Sequence, residues 1–176
     1  YNWGHSTFNA DRIALLKDVN IEFLPMSWSL PFNIEDLVVH YENGSGYILG
    51  YNEPNLKDQA NMTPKQAAKG WPELVSAAKT LGMKLVGPAV NYGTLEGYGD
   101  PVVWYDEFLS QPGVSIDDID AIALHCYMPN GNAVKSLLIR KFAKYGKPLW
   151  LTEFANGDAR TPEQQATFMQ EAVTYL

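Results

Sequence analysis

Cysteine is almost absent. Cys126 stands alone, so no disulfide can close within the chain and no cysteine cluster can hold a metal. Basic residues form no run longer than the pair Arg140-Lys141, and thirteen Lys and Arg against twenty Asp and Glu leave a formal charge of −7. That balance disfavours a phosphate backbone as partner and suits a neutral ligand such as a sugar. No stretch approaches the roughly 18 apolar residues of a membrane span. The opening Tyr1-Asn2-Trp3-Gly4 has neither the charged nor the apolar region of a signal peptide. Nucleotide folds lose their signature too, since no GxGxxG or GxxxxGK[ST] follows a strand. His5, His40 and His125 lack the HExxH spacing of a zinc site, and Gly44-Ser45-Gly46 lacks the GxSxG elbow of a serine hydrolase. Neither cofactor nor metal is expected.

What the chain has is an alternation of short apolar runs with amphipathic stretches. Helical spacing covers Asn9 to Val19, through Ile13, Leu15, Leu16 and Val19, and again Asn33 to Glu42, through Ile34, Leu37, Val38 and Tyr41. Thr63-Pro64-Lys65-Gln66 and Thr161-Pro162-Glu163-Gln164 each offer a capping hydroxyl, a proline at the first helical position and a glutamine able to reach back to the cap. Asp100-Pro101 opens a further helix, and another spans about 133 to 145. Between them lie strand-like runs at Ile21–Met26, Tyr47–Tyr51, Lys84–Val90, Ile119–Met128 and Pro148–Ala155, with Tyr1–Trp3 ahead of them. This order predicts an α/β protein with a parallel sheet and right-handed crossovers, as a barrel or as an open doubly wound sheet. One domain accounts for all 176 residues.

Polar residues gather after the strands, where both folds place their sites. Gly50-Tyr51-Asn52-Glu53-Pro54-Asn55 breaks the strand at Tyr47–Leu49 into a loop, and a hundred positions later Thr152-Glu153-Phe154 repeats the arrangement. A rigid strand aims a carboxylate and a loop keeps it reachable, so Glu53 and Glu153 are the candidate catalytic pair, of the kind glycoside hydrolysis uses. His125 and Tyr127 stand two apart and share a strand face, which suits groups that orient and hydrogen-bond Glu153. Trp3 and Trp28 end their strands at the same relative place and are candidate platforms for sugar rings, as are Tyr92 and Tyr98 in the loop after Val90, which also offers Asn91. Trp71 and Trp104 fall in step with apolar helix positions and are assigned to packing, as is Trp150 within its strand.

Taken together, the Asn-Glu-Pro segment, Pro148 to Ala155 and His125-Cys126-Tyr127 resemble glycoside hydrolase family 128. Tyr1-Asn2-Trp3, Phe23-Leu24-Pro25-Met26-Ser27-Trp28, Val86-Gly87-Pro88-Ala89-Val90 and Ile119 to His125 extend the match over nearly the whole chain. The resemblance implies a (β/α)8 TIM-type barrel whose first and last strands are missing from this chain, which would then be trimmed at both ends. Glu53 would end strand four and Glu153 strand seven. It further implies internal cleavage of β-1,3-glucan with retention, Glu153 as nucleophile, Glu53 as acid/base and Asn52 as donor to the sugar 2-hydroxyl. No cofactor or metal, no nucleic acid and no membrane enter this reading, and the protein is expected to be a monomer. A polymeric substrate places it outside the cell or in a wall. The other readings are a related barrel acting on another β-glycan, or a β-glucan-binding barrel without turnover.

Overall fold

A computed structural model describes residues 1–4, 15–42 and 44–175. Most of the first expected helix, with His5 and Ile13, lies outside these residues; its last turn, 15–18, is helical. Among the described residues a four-stranded parallel sheet runs in chain order, β1 (Tyr47–Leu49), β2 (Lys84–Val90), β3 (Ala121–Tyr127) and β4 (Leu149–Ala155). Helix α1 (Ile34–Glu42) precedes β1, and α2 (Pro64–Leu81), α3 (Pro101–Leu109), α4 (Gly131–Lys135) and α5 (Pro162–Val173) follow the successive strands. The sheet is curled into a half-barrel.

The helix starts follow from their caps. Thr63 and Thr161 each close a full capping box with the glutamine three residues on, and Asp100 accepts from the Val102 N–H ahead of Pro101. Gly82 ends α2 in the left-handed conformation that glycine takes without cost. The helix expected over 133–145 is not uniform: α4 gives way to a π-helical stretch, Ser136–Phe142, and then a 3-10 turn, Ala143–Tyr145.

Six strands were expected, and four belong to the sheet. The run Ile21–Met26 contributes a single bridge, Met26 to Leu49. It still lies in strand position, because Ser27 N–H donates to Leu49 O and Leu49 N–H to Pro25 O. Pro25 has no N–H of its own, which limits the ladder it can build. Beyond it, Gly4 O accepts from Met26 N–H, so residues 1–4 take the next position outward.

Side chains sort by face. The convex face packs Ile48, Leu85, Ile122, Leu124 and Cys126 against Trp71, Leu74, Trp104, Phe108 and Phe142 of the helices, all in one buried cluster. The concave face holds a smaller cluster, Met26, Leu49, Val86, Ala89, Ala121 and Ala123, with Trp28, Tyr47 and Trp150 packed on it. Large residues outside and alanines inside are what a curled sheet requires. Cys126, sealed in the outer cluster, has its thiol pushed up to about 11 by burial.

Gly50, just past β1, faces the β2 backbone with no room for a side chain: a Cβ there would lie 2.8 Å from Val86 O. Gly50→Ala should therefore force the two strands apart and destabilise the protein by about 1–3 kcal/mol, measured by urea unfolding; an unchanged midpoint would contradict this packing.

Candidate active site

In a flat sheet the outer strands β1 and β4 would stand three spacings, about 14 Å, apart. Here one carboxylate oxygen each of Glu53 and Glu153, together with a ring nitrogen of His125, lie within 4.8 Å of one another. The curl brings them together. His125 Nδ1 is 3.0 Å from Glu53 Oε1 and 3.5 Å from Glu153 Oε2, and the ring is fully buried. With its proton on Nδ1, the ring donates to Glu53.

Local irregularities aim these side chains. On β3 simple alternation suffices: Ala121 and Ala123 face inward, so His125 and Tyr127 do too. On β4 alternation would fail. Trp150 packs on the inner cluster and Leu151 on the outer, so a regular strand would send Glu153 outward with Leu151. The register slips between Leu124–Leu151 and His125–Glu153, leaving Thr152 as an extra residue and turning Glu153 inward beside His125. Phe154 is thereby returned to the outer cluster, against Phe168. The slip on β2 between Gly87 and Val90 acts likewise: Val86 and Ala89 both face inward, and Asn91 follows on that face. Glu53 itself takes a left-handed backbone, φ 42°, a conformation that costs about 1–3 kcal/mol where the surroundings enforce it.

The two carboxylates differ in their neighbours. Glu153 Oε1 accepts from Trp3 Nε1 at 2.7 Å and from the Tyr1 hydroxyl at 2.9 Å, and Oε2 accepts from the Tyr127 hydroxyl at 2.6 Å. Burial is the largest single influence on Glu153 and opposes its charge. The Tyr127 hydroxyl, the His125 ring, the Trp3 indole and the Tyr1 hydroxyl together outweigh it and hold the carboxyl below its ordinary value. Burial, followed by the bonds to Glu153, pushes the Tyr1 and Tyr127 hydroxyls far up, so both remain donors. Glu53 is buried, and among the described residues its carboxyl meets His125 and, at 3.3 Å, the Asn91 amide, both on Oε1. Among the described residues no hydrogen bond reaches its Oε2.

The structure thus gathers Glu53, Glu153, His125, Tyr127, Trp3 and Asn91. Tyr92 stands next to Asn91, nearly half exposed, with Lys141 Nζ 5.0 Å from its ring centre. Tyr98 turns instead to helix α3, where its hydroxyl meets both oxygens of Glu107 at 3.1 Å. Asn52 is buried, its amide nitrogen bonded to Gln59 Oε1 and its Oδ1 without a partner among the described residues. Trp28 packs half-buried on the inner cluster, and its carbonyl accepts from Asn52 N–H.

Two contributors went unread in the sequence. Tyr1 shares a face with Trp3, which was the available signal. Asn55, fully buried in the Asn-Glu-Pro-Asn segment, clamps the loop after β2: its side-chain amide donates to Asn91 O at 2.7 Å and Tyr98 O at 3.3 Å, while its backbone carbonyl accepts from the Thr94 and Leu95 N–H groups. Glu53, His125 and Glu153 are also the described residues that could offer a metal three donor atoms. The hydrogens aimed at both Glu153 oxygens fit a retained anion rather than a ligand whose lone pairs face a cation.

A glutamate pair at the C-terminal ends of parallel strands, one of them ringed by donors, defines a site of the carboxylate-pair type found in glycoside hydrolases. A family model described as the glycosyl hydrolase catalytic core matches residues 1–176. The crystal structure of a subgroup II endo-β-1,3-glucanase of glycoside hydrolase family 128 from Pseudomonas viridiflava is similar at TM-score 0.86 and 40% identity, covering 99% of this chain and 71% of that one. A subgroup III curdlan-specific exo-β-1,3-glucanase from Blastomyces gilchristii, in complex with glucose, follows at 0.77 and 27%, covering 99% and 73%. A subgroup I endo-β-1,3-glucanase from Amycolatopsis mediterranei, in complex with laminaritriose, stands at 0.68 and 26%, covering 99% and 72%. The chain belongs to the glycosyl hydrolase catalytic core family and, within it, to glycoside hydrolase family 128. Alkali-sensitive linkage protein 1 of Schizosaccharomyces pombe is 29% identical over 144 residues, 76% of this chain; the chain spans only 25% of that curated relative.

Because the folded state holds Glu153 low, its charge contributes stability above the ordinary carboxylate range that is lost as pH falls through the lowered value. Tyr127→Phe removes a donor and raises that value, so acid unfolding followed by circular dichroism should begin at a higher pH in the variant. Carbon NMR of the Glu153 carboxyl should show the same upward move; an unmoved titration would mean that Tyr127 does not hold the charge.

Proposed function

We propose that the protein cleaves internal β-1,3-glucan linkages with retention of configuration, Glu153 acting as nucleophile and Glu53 as acid/base. The observation that carries this reading is the asymmetry of the pair: two glutamates within reach of one imidazole nitrogen, with three hydroxyl or indole donors on Glu153 alone. Donors that stabilise a carboxylate keep it ionised and aimed, as a nucleophile must be. Among the described residues nothing bonds one Glu53 oxygen, as a group that hands over a proton requires.

The separation supports a double displacement. Retaining pairs stand about 5–5.5 Å apart and inverting pairs about 6.5–9.5 Å, and the facing oxygens here lie within 4.8 Å. In the first step a Glu153 oxygen bonds to the anomeric carbon, the glycosidic C–O bond breaks, and the departing oxygen takes the Glu53 proton. Water then attacks the glycosyl ester, giving its proton back to Glu53 and releasing Glu153. Asn52, at the strand end beside Glu53, meets the sugar 2-hydroxyl, and the exposed indole of Trp3 borders the sugar joined to Glu153. The glucan specificity rests on the β-1,3-glucanase names of the relatives and the internal cleavage on the endo-acting ones, with the half-barrel completed to eight strands in the whole protein. With a glucan polymer as substrate, the proposal extends to a place outside the cell or in a wall; a monomer is a separate part of it.

Reducing ends should be released from soluble β-1,3-glucan and not from a β-1,4 control, and Glu153→Gln or Glu53→Gln should each lower the rate by at least about a thousandfold. Proton NMR should detect the β-anomer as first product; an α-anomer would sink retention, and cleavage of the β-1,4 polymer the linkage. Turnover should survive a chelator, and its loss would hand the Glu53, His125 and Glu153 donors to a metal.

A further inference from the structure

Tyr92 is a large aromatic residue left 45% exposed one position beyond Asn91, whose amide touches Glu53. Its exposure does not come from a loose loop. Asn55 ties down the carbonyls of Asn91 and Tyr98, Gly93 N–H donates to Gly99 O, and a Cβ at Gly93 would lie 2.4 Å from Asn55 O. Asn91 Oδ1 accepts from the Tyr92 N–H at 2.8 Å, so one side chain contacts both Glu53 and the backbone that carries the ring.

The ring is also braced by a cation. Lys141, in the π-helical stretch after β3, brings its ammonium to 5.0 Å from the Tyr92 ring centre and to 2.6 Å from Asp100 Oδ2, the carboxylate that caps α3. π-Helical turns recur at functional sites because they displace one residue from the regular helical face. A fixed aromatic ring with an uncovered surface can receive the C–H face of a β-glucopyranose without losing side-chain freedom on binding.

Which sugar it receives follows from its neighbours. Tyr1, Trp3 and Tyr127 surround the Glu153 carboxylate, whereas Asn91 contacts Glu53. The sugar bonded to Glu153 therefore lies among the first group, and the sugar whose oxygen takes the Glu53 proton lies toward the second. We infer that Tyr92, braced by Lys141 and Asp100, is the stacking platform for the glucose unit on the leaving-group side of the scissile bond. This inference rests on the glycosidase reading above and names a specificity-determining residue for it.

The test compares two substrates on the wild-type protein and on Tyr92→Ala, Tyr92→Phe and Lys141→Met. A β-1,3-gluco-oligosaccharide departs as a sugar, while laminaribiosyl fluoride departs as fluoride and places nothing on the leaving side. Tyr92→Ala should lower the ratio of kcat/KM for oligosaccharide over fluoride about tenfold, Lys141→Met should lower it about threefold, and Tyr92→Phe should recover most of it. An unchanged ratio in Tyr92→Ala, whether both rates hold or both fall together, would overturn the leaving-side assignment and leave the ring a support for the loop. Wild-type protein that turns over neither substrate would instead sink the glycosidase reading, and this inference with it.

Discussion

Two carboxyl groups on the outermost strands of a four-stranded sheet have to meet at one imidazole nitrogen, and the curvature of the sheet makes that meeting possible. Strand spacing is set by backbone hydrogen bonds and cannot shrink, so only bending brings β1 and β4 together. The division of sizes maintains the bend: Ala89, Ala121 and Ala123 on the concave face leave it narrow, and Trp71, Trp104 and Phe108 fill the space outside. Tyr1 and Trp3, two strand positions beyond β1, close the circle by reaching Glu153 from the opposite side. The His125 ring stands between the two carboxyl groups where they face each other, and three further donors hold Glu153.

Curvature alone would not aim the side chains. Glu153 would point into the helical layer if β4 were regular, and Asn91 would lose its inward direction if β2 were. One unpaired residue in each strand reverses the alternation just before the functional position. Glu53 achieves the same end through a left-handed backbone. Each device breaks sheet regularity at the rim of the concave face and leaves the buried middle of the strands intact, where the ladder and the packing supply the restraint that holds the strained residues in place.

The loop after β2 joins the scaffold to recognition. Asn55 belongs to the same short segment as Glu53, so Glu53 and the loop carrying Asn91 and Tyr92 are positioned by one stretch of backbone. A change in that segment would move the Glu53 carboxyl and the Tyr92 ring together. Trp3 combines two roles in one side chain, with an indole N–H committed to Glu153 and a ring surface left largely exposed.

Much of this was legible in the chain itself. The alternation of apolar runs and amphipathic stretches specified parallel βα units, because period and cap chemistry are local properties. Thr63, Asp100 and Thr161 begin helices where their side chains can satisfy free backbone N–H groups. The strand-end positions of Glu53 and Glu153 and the shared face of His125 and Tyr127 follow from the two-residue period of a strand. Partnership was decided by the tertiary structure. Whether His125 serves Glu53 or Glu153 depends on where the curl sets β1 against β3, and the inward turn of Glu153 depends on a register slip that only the neighbouring strand defines. Tyr98 and Tyr92 read alike in the loop, yet Glu107 draws one toward α3 while Lys141 and Asp100 brace the other in the open. Asn55 reads as a turn residue until the carbonyls it holds, 36 and 43 positions away, come into view. Local sequence sets which groups a segment offers; long-range contacts, absent from any window of sequence, set which of them meet.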